Sequence, residues 1–215
     1  MLVKRIYLIL YFSALWAIAI EAAPLPRSRV IALQEQFKTH QQQTKTWSAS
    51  FTQTLSLPGM QKTVVSKGKL MYRARGELRL DFVKPEGEFV LVVGDELFLQ
   101  KAGKHVEVKS LADDLEGKPF GFLLAFLRGS QEEEISWYIT QVSSENGKYY
   151  LMLNRKPEAP DILPIRITNT IDIALFEVRE IFVELPNGST IKYHFDAVLR
   201  NGAIDSARFS PPASE

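Results

Sequence analysis

The 215 residues are 46% hydrophobic and 24% charged, with a net charge of +1. That is enough apolar sequence for one globular domain with a sizeable core, and too little basic excess for a nucleic-acid binder that works through an overall positive field. No cysteine is present, which excludes disulfides, thiolate metal sites, a cysteine nucleophile and lipidation through an N-terminal cysteine.

Lys4 and Arg5 precede an uncharged apolar stretch from Ile6 to Ile20 and a small-residue patch at Ala22 and Ala23, the layout of an export signal. Glu21 fits badly three positions before a cut after Ala23, and Pro24 would hinder that cut. Cleavage is therefore expected after Ala22, making residues 1–22 the signal peptide and 23–215 a single domain. The apolar stretch is long for a signal core, so an uncleaved anchor is the competing reading. Either way the folded part is expected outside the cytoplasm, in the periplasm if the cell has two membranes.

From Ser28 to about His40, the positions Val30, Leu33 and Phe37 follow helical spacing, with Ser28 as the expected N-cap. The helix has one modest apolar stripe and should pack flat on a sheet; Gln41 to Gln43 end it. The period then changes to two. Thr46, Ser48, Ser50, Thr52, Thr54 and Ser56 share one parity, and Trp47, Ala49, Phe51, Leu55 and Leu57 the other, the pattern of a strand with one wet and one oily face. After the Pro58-Gly59 turn, strands are expected at Lys62 to Tyr72, Glu77 to Val83, Glu88 to Val93, Leu97 to Gln100 and His105 to Lys109. Their short connections dictate antiparallel neighbours, a meander.

The run Pro119 to Leu127 (Pro-Phe-Gly-Phe-Leu-Leu-Ala-Phe-Leu) carries no charge. As a helix it is greasy on every side, so it must be buried or cover something greasy, and it is too short to span a bilayer. It reads as a lid over the oily face of a curved sheet, or alternatively as an ordinary core helix. Ser130 and Glu133 then have capping-box spacing. Strands follow at Ile135 to Val142, Lys148 to Asn154, Ile165 to Asn169, Phe176 to Leu185, Thr190 to Leu199 and near Ala207 to Phe209.

Other chemistry is thinly represented. His40, His105 and His194 are far apart and lack ligand spacing, so no metal site is expected. Asp113-Asp114 and Glu132 to Glu134 read as solvated charges flanking the greasy run. Asn187-Gly188-Ser189 reads as a hairpin turn rather than a glycosylation acceptor. No Gly-x-Ser-x-Gly elbow, phosphate loop or dinucleotide fingerprint appears, and a lipid hydrolase would lack a nucleophile with its base. An enzyme is not expected, and no cofactor is implied.

Several short motifs occur in a telling order: Ser50-Phe51-Thr52-Gln53, then Gly68-Lys69-Leu70-Met71-Tyr72, then Gly76 to Phe82, then Lys84-Pro85-Glu86, with Lys118-Pro119-Phe120 opening the apolar run and Asn201-Gly202 to Phe209 and Pro212 closing the chain. In this order they resemble the LolA carriers over nearly all of the mature chain. The resemblance implies an α+β fold: a strongly curved antiparallel sheet forming an incomplete half β-barrel, with helices over its open side as a lid. It further implies a periplasmic protein-transport chaperone that takes an acylated lipoprotein from an inner-membrane ABC exporter, hides its acyl chains, and passes it to an outer-membrane acceptor. A monomer suffices for that role. A LolA-like carrier of another exported lipid or glycolipid is the alternative, and a sensory or structural module on the same half-barrel a further one. The outer-membrane acceptor of the same fold is disfavoured by the missing acylation cysteine.

On this reading Trp47, Phe51, Leu70, Leu78, Leu80, Phe82, Phe89 and Leu91 line the lipid-binding cavity, and Phe120, Phe122, Leu123 and Phe126 close it. Family members hold the empty lid shut with an arginine just before the turn, where this chain has Ala74 flanked by Arg73 and Arg75. Arg75, beside Gly76, is the expected substitute latch, with Arg73 as the second candidate; solvated hairpin charges are the alternative.

Overall fold

The computed structural model describes residues 25–60, 62–111, 118–128 and 136–212, with the backbone alone for Lys118, Pro119, Phe122 and Ala125. The expected signal peptide, the Ser130–Glu133 capping box and the acidic clusters at Asp113-Asp114 and Glu132 to Glu134 lie outside the described residues.

Helix α1 spans Arg27–Gln42. Ser28 is not its N-cap: the helix starts one residue earlier, with Pro26 in that place and no side-chain cap. The Pro26 carbonyl accepts from the Arg29 and Val30 amides at 2.9 and 3.0 Å, and the ring presets φ at −56°, a preorganised entry into a helix. Leu33 is buried, and Val30 and Phe37 pack against the same core, as the 3.6 period requires.

Six strands follow: β1 (Thr46–Ser56), β2 (Val64–Arg73), β3 (Glu77–Lys84), β4 (Phe89–Val93), β5 (Glu96–Gln100) and β6 (Glu107–Ser110). Helix α2 (Lys118–Arg128) precedes β7 (Tyr138–Glu145), β8 (Lys148–Arg155), β9 (Arg166–Asp172), β10 (Glu177–Glu184) and β11 (Thr190–Arg200). The strand expected near 207–209 is instead a 3-10 turn at Ser206–Phe209, where Asp205 accepts from the Ala207 amide at 3.0 Å. The turn lies across the outer face of β3 and β4, both interior strands whose edges are already paired, and Arg79 Nη1 donates to the Arg208 carbonyl at 3.0 Å.

All eleven strands form one antiparallel sheet in the order β6-β5-β4-β3-β2-β1-β11-β10-β9-β8-β7. Two meanders are thus sewn together by the β1–β11 pair, Phe51 opposite Phe195 and Gln53 opposite Tyr193. Three register irregularities, between Ser48 and Ser50 opposite β11, between Val178 and Glu180, and between Lys67 and Gly68, bend and twist the strands. Among the described residues the sheet curves without closing: β6 and β7 remain as its two edges. The chain that crosses from one edge to the other carries α2. At the β7 edge, the Leu25 amide donates to the Val142 carbonyl at 2.8 Å, so the segment entering α1 covers part of that edge.

Two cores result. The main one holds Trp47, Phe51, Leu70, Leu78, Leu80, Val90, Val92, Tyr193 and Phe195 with α1 and α2. The smaller one lies on the opposite, convex face, where Met71, Leu91 and Phe98 are covered by Phe209, with Phe89 packed alongside.

Candidate functional site

The concave wall begins with the β1 parity set. Trp47 pairs with Tyr72, Ala49 with Leu70 and Phe51 with Gly68; Leu70 then pairs with Leu80, and Tyr72 with Leu78. Pleating puts all of these on one side. Leu70, Leu78 and Leu80 are fully buried there. Phe51 meets Phe82 edge-on at 5.3 Å and Tyr193 at 6.1 Å. Gly68 makes room for that ring: a Cβ on it would lie 2.2 Å from the Asp81 carbonyl oxygen and 2.7 Å from Phe51 Cζ.

Six of the eight expected wall residues, Trp47, Phe51, Leu70, Leu78, Leu80 and Phe82, therefore come together. Phe89 and Leu91 do not. They pair with Asp81 and Arg79, residues of the convex face, and Arg79 stacks on the Phe89 ring at 4.6 Å. The concave positions of β4 are Val90 and Val92, which pair with Leu80 and Leu78. The misplacement has a simple cause: β4 reads Phe-Val-Leu-Val-Val, apolar at both parities, because the C-terminal segment covers its outer face.

Helix α2 covers the concave side. Leu123, Leu124, Phe126 and Leu127 are buried in the main core, with Phe120 partly buried against it; the Phe122 side chain is outside the described residues. Phe126 packs on Phe37 of α1 with ring centroids 5.2 Å apart. The two helices share one apolar surface with the wall, so the arrangement is closed. Leu124 and Leu127 belong to this cover as much as the named lid residues, and the i, i+4 spacing of Leu124 to Phe120 and of Leu127 to Leu123 was the available signal.

The latch candidates lie elsewhere than expected. Arg73 Nη2 donates to Glu77 at 2.6 Å and its guanidinium stacks on Phe209 at 4.7 Å, so it is engaged on the convex face. Arg75 is exposed at the hairpin tip. The arginine that lies where lid and hairpin meet is Arg128, the last residue of α2. Gly76 has φ +87°, and a Cβ added to it would fall 1.8 Å from Arg128 Nη2. The glycine thus leaves the space that the guanidinium occupies. Burial raises the pKa of the nearby Tyr72 hydroxyl, and the Arg128 charge pulls it partly back.

The remaining polar features are sparse. His40, at the end of α1, faces Phe176 edge-on at 5.9 Å; burial and the Arg200 charge lower its pKa. His194 lies against Glu180 and Asp196, each at 3.2 Å, on another part of the sheet. Among the described residues, no three His, Cys, Asp or Glu side chains are grouped to hold a metal, and no helix is long and apolar enough to cross a membrane.

The model of the family described as outer membrane lipoprotein carrier protein LolA matches residues 42–212. No curated protein sequence is significantly similar to this chain. Among solved structures, an uncharacterized conserved protein from Thermus thermophilus is similar at 9% identity, covering 85% of this chain and 94% of that one, with a TM-score of 0.53. MucB is similar at 12% identity over 88% of this chain and 65% of its own, with a TM-score of 0.52. A LolA superfamily protein from Nitrosomonas europaea aligns at 9% identity over 84% and 97%, with a TM-score of 0.45. At such identities a structural likeness speaks for the fold alone. The family match spans most of the chain, from the end of α1 to the segment behind Phe209: this protein belongs to the LolA family.

Proposed function

We propose that this protein is a periplasmic carrier, exported by its N-terminal signal, that encloses the acyl chains of lipoproteins between the concave wall and α2. It would move them from an inner-membrane ABC exporter to an outer-membrane acceptor. One observation carries the reading: a helix uncharged between its terminal Lys118 and Arg128, set on the crossing between the two sheet edges, buries Leu123, Leu124, Phe126 and Leu127 against a wall of leucines and aromatics.

The energetics favour exchange over a permanent core. Four such side chains, at about 2 kcal/mol each, are matched by about ten methylenes at about 0.8 kcal/mol each. One long acyl chain therefore replaces what the lid gives up on opening, and loading and release both stay near balance. The Arg128 contact at Gly76 acts as the latch of the empty state, taking the place of the arginine that Ala74 lacks. That departure also keeps a second cargo class in view, another exported lipid carried by the same wall.

The test is cargo transfer by Leu123→Glu and Phe126→Glu variants whose circular dichroism shows an intact sheet. Uptake of acylated protein should fall at least tenfold in both; transfer at the wild-type rate would remove α2 from the account. Mass spectrometry of material co-purifying from the periplasm separates the cargo classes: acylated protein supports the lead reading, and a free glycolipid the second.

A further inference from the structure

The concave wall is not apolar throughout. One transverse row of the sheet runs Leu151, Asn169, Ile181, Tyr193, Gln53 and Ser66, each residue paired with the next across β8, β9, β10, β11, β1 and β2. Asn169 stands between Ile167 and Ile171, both members of the main core, so its side chain projects to the same concave face. It is 1% exposed, yet its Nδ2 has no hydrogen-bond partner among the described residues. Further along the row, Gln53 Nε2 donates to the Tyr193 hydroxyl at 2.8 Å, and a hydroxyl that accepts one bond still carries a proton to give.

An amide donor sealed in an apolar wall without a partner weakens the fold, and a buried group of that kind calls for a reason. The row offers donors and contains no charged side chain, so the group that suits it is a neutral acceptor. A carboxylate or phosphate would be brought into this wall without a counter-charge, which is far costlier.

We infer that Asn169, with Tyr193 two strands along the same row beyond Ile181, is a subsite for the carbonyl of an acyl ester or amide. The wall thereby recognises the linkage of the cargo as well as its hydrocarbon. This rests on the carrier reading above. The subsite also separates acylated cargo from plain alkyl chains of equal length, a distinction that an all-apolar cavity cannot make.

The experiment compares two matched probes bearing the same pyrene reporter, a dipalmitoyl glycerol ester and its dihexadecyl ether, titrated into the purified wild-type protein and into Asn169→Leu, with Asn169→Val as a smaller second variant. The wild type should prefer the ester by about fivefold, the equilibrium equivalent of one neutral hydrogen bond. The leucine variant should melt at the same or a higher temperature, bind the ether as before, and lose the preference. An ester-to-ether ratio unchanged in both variants, or no preference in the wild type, overturns the subsite and leaves the carrier standing. Failure of the wild type to bind either probe overturns both.

Discussion

At the scale of single residues, glycines explain the most. Gly68 is part of the Gly-x-Leu signature because the Phe51 ring and the Asp81 carbonyl occupy the volume a side chain would need. Gly68→Val should therefore destabilise the protein by about 1–3 kcal/mol through overpacking, read as a lower urea midpoint with an unchanged m-value. Gly76 serves a different purpose, since at φ +87° it forms the turn and leaves space for Arg128. No periodicity marks that pairing, because the partners are far apart in sequence and the nearer arginines, Arg73 and Arg75, are the obvious candidates. Arg73 is held by Glu77 and Phe209 on the other face, which parity with Met71 foretells only once the two faces are known.

At the scale of elements, α2 illustrates how composition can require burial without saying against what. Its residues are apolar on all sides, so burial was required whatever the fold. Its role as a cover follows from its position on the crossing between β6 and β7, the two edges of one sheet. The Arg128 contact ties the C-terminal end of this helix to the β2–β3 hairpin. Removing it by Arg128→Met should accelerate amide hydrogen exchange across residues 118–128 by up to about fivefold, the range of a single partly exposed polar contact, while exchange in β1 and β11 stays slow. Equal exchange in the two proteins would show that the hydrophobic contacts alone hold the lid. The β9–β10 turn was harder to foresee. Ile173, Ala174, Leu175 and Phe176 contain neither Gly nor Pro, and the chain reverses because Asp172 accepts from the Ala174 and Leu175 amides at 2.9 and 3.0 Å, with Phe176 at φ +54°.

At the scale of the whole molecule, the protein carries two apolar clusters with different duties on the two faces of one sheet. The convex cluster of Met71, Leu91, Phe98 and Phe209 is remote from the lid and fastens the C-terminal segment. Phe209→Ala should cost about 3 kcal/mol of stability, as an aromatic removed from a core does. It should leave cargo affinity within about a factor of two under conditions where the variant stays folded, as expected for independent sites. A proportionate loss of cargo binding in calorimetry would mean that the two faces are coupled.

The sequence by itself determined the strand-rich α+β class, the alternation that makes β1 to β3 amphipathic, the greasy helix in mid-chain and most turns, because these depend on residue types at short spacing. Its motifs also sufficed for the family, since their order along the chain survives without any three-dimensional information. Only the tertiary structure decided that β1 joins β11, that Val90 and Val92 rather than Phe89 and Leu91 face the lid, that Arg128 meets Gly76, and that Asn169, Tyr193 and Gln53 fall in one row. Each of these is a register or a contact between distant segments. Such choices are made by the packing of two faces against different covers, and a strand that is apolar on both sides carries no local mark of which cover it will meet.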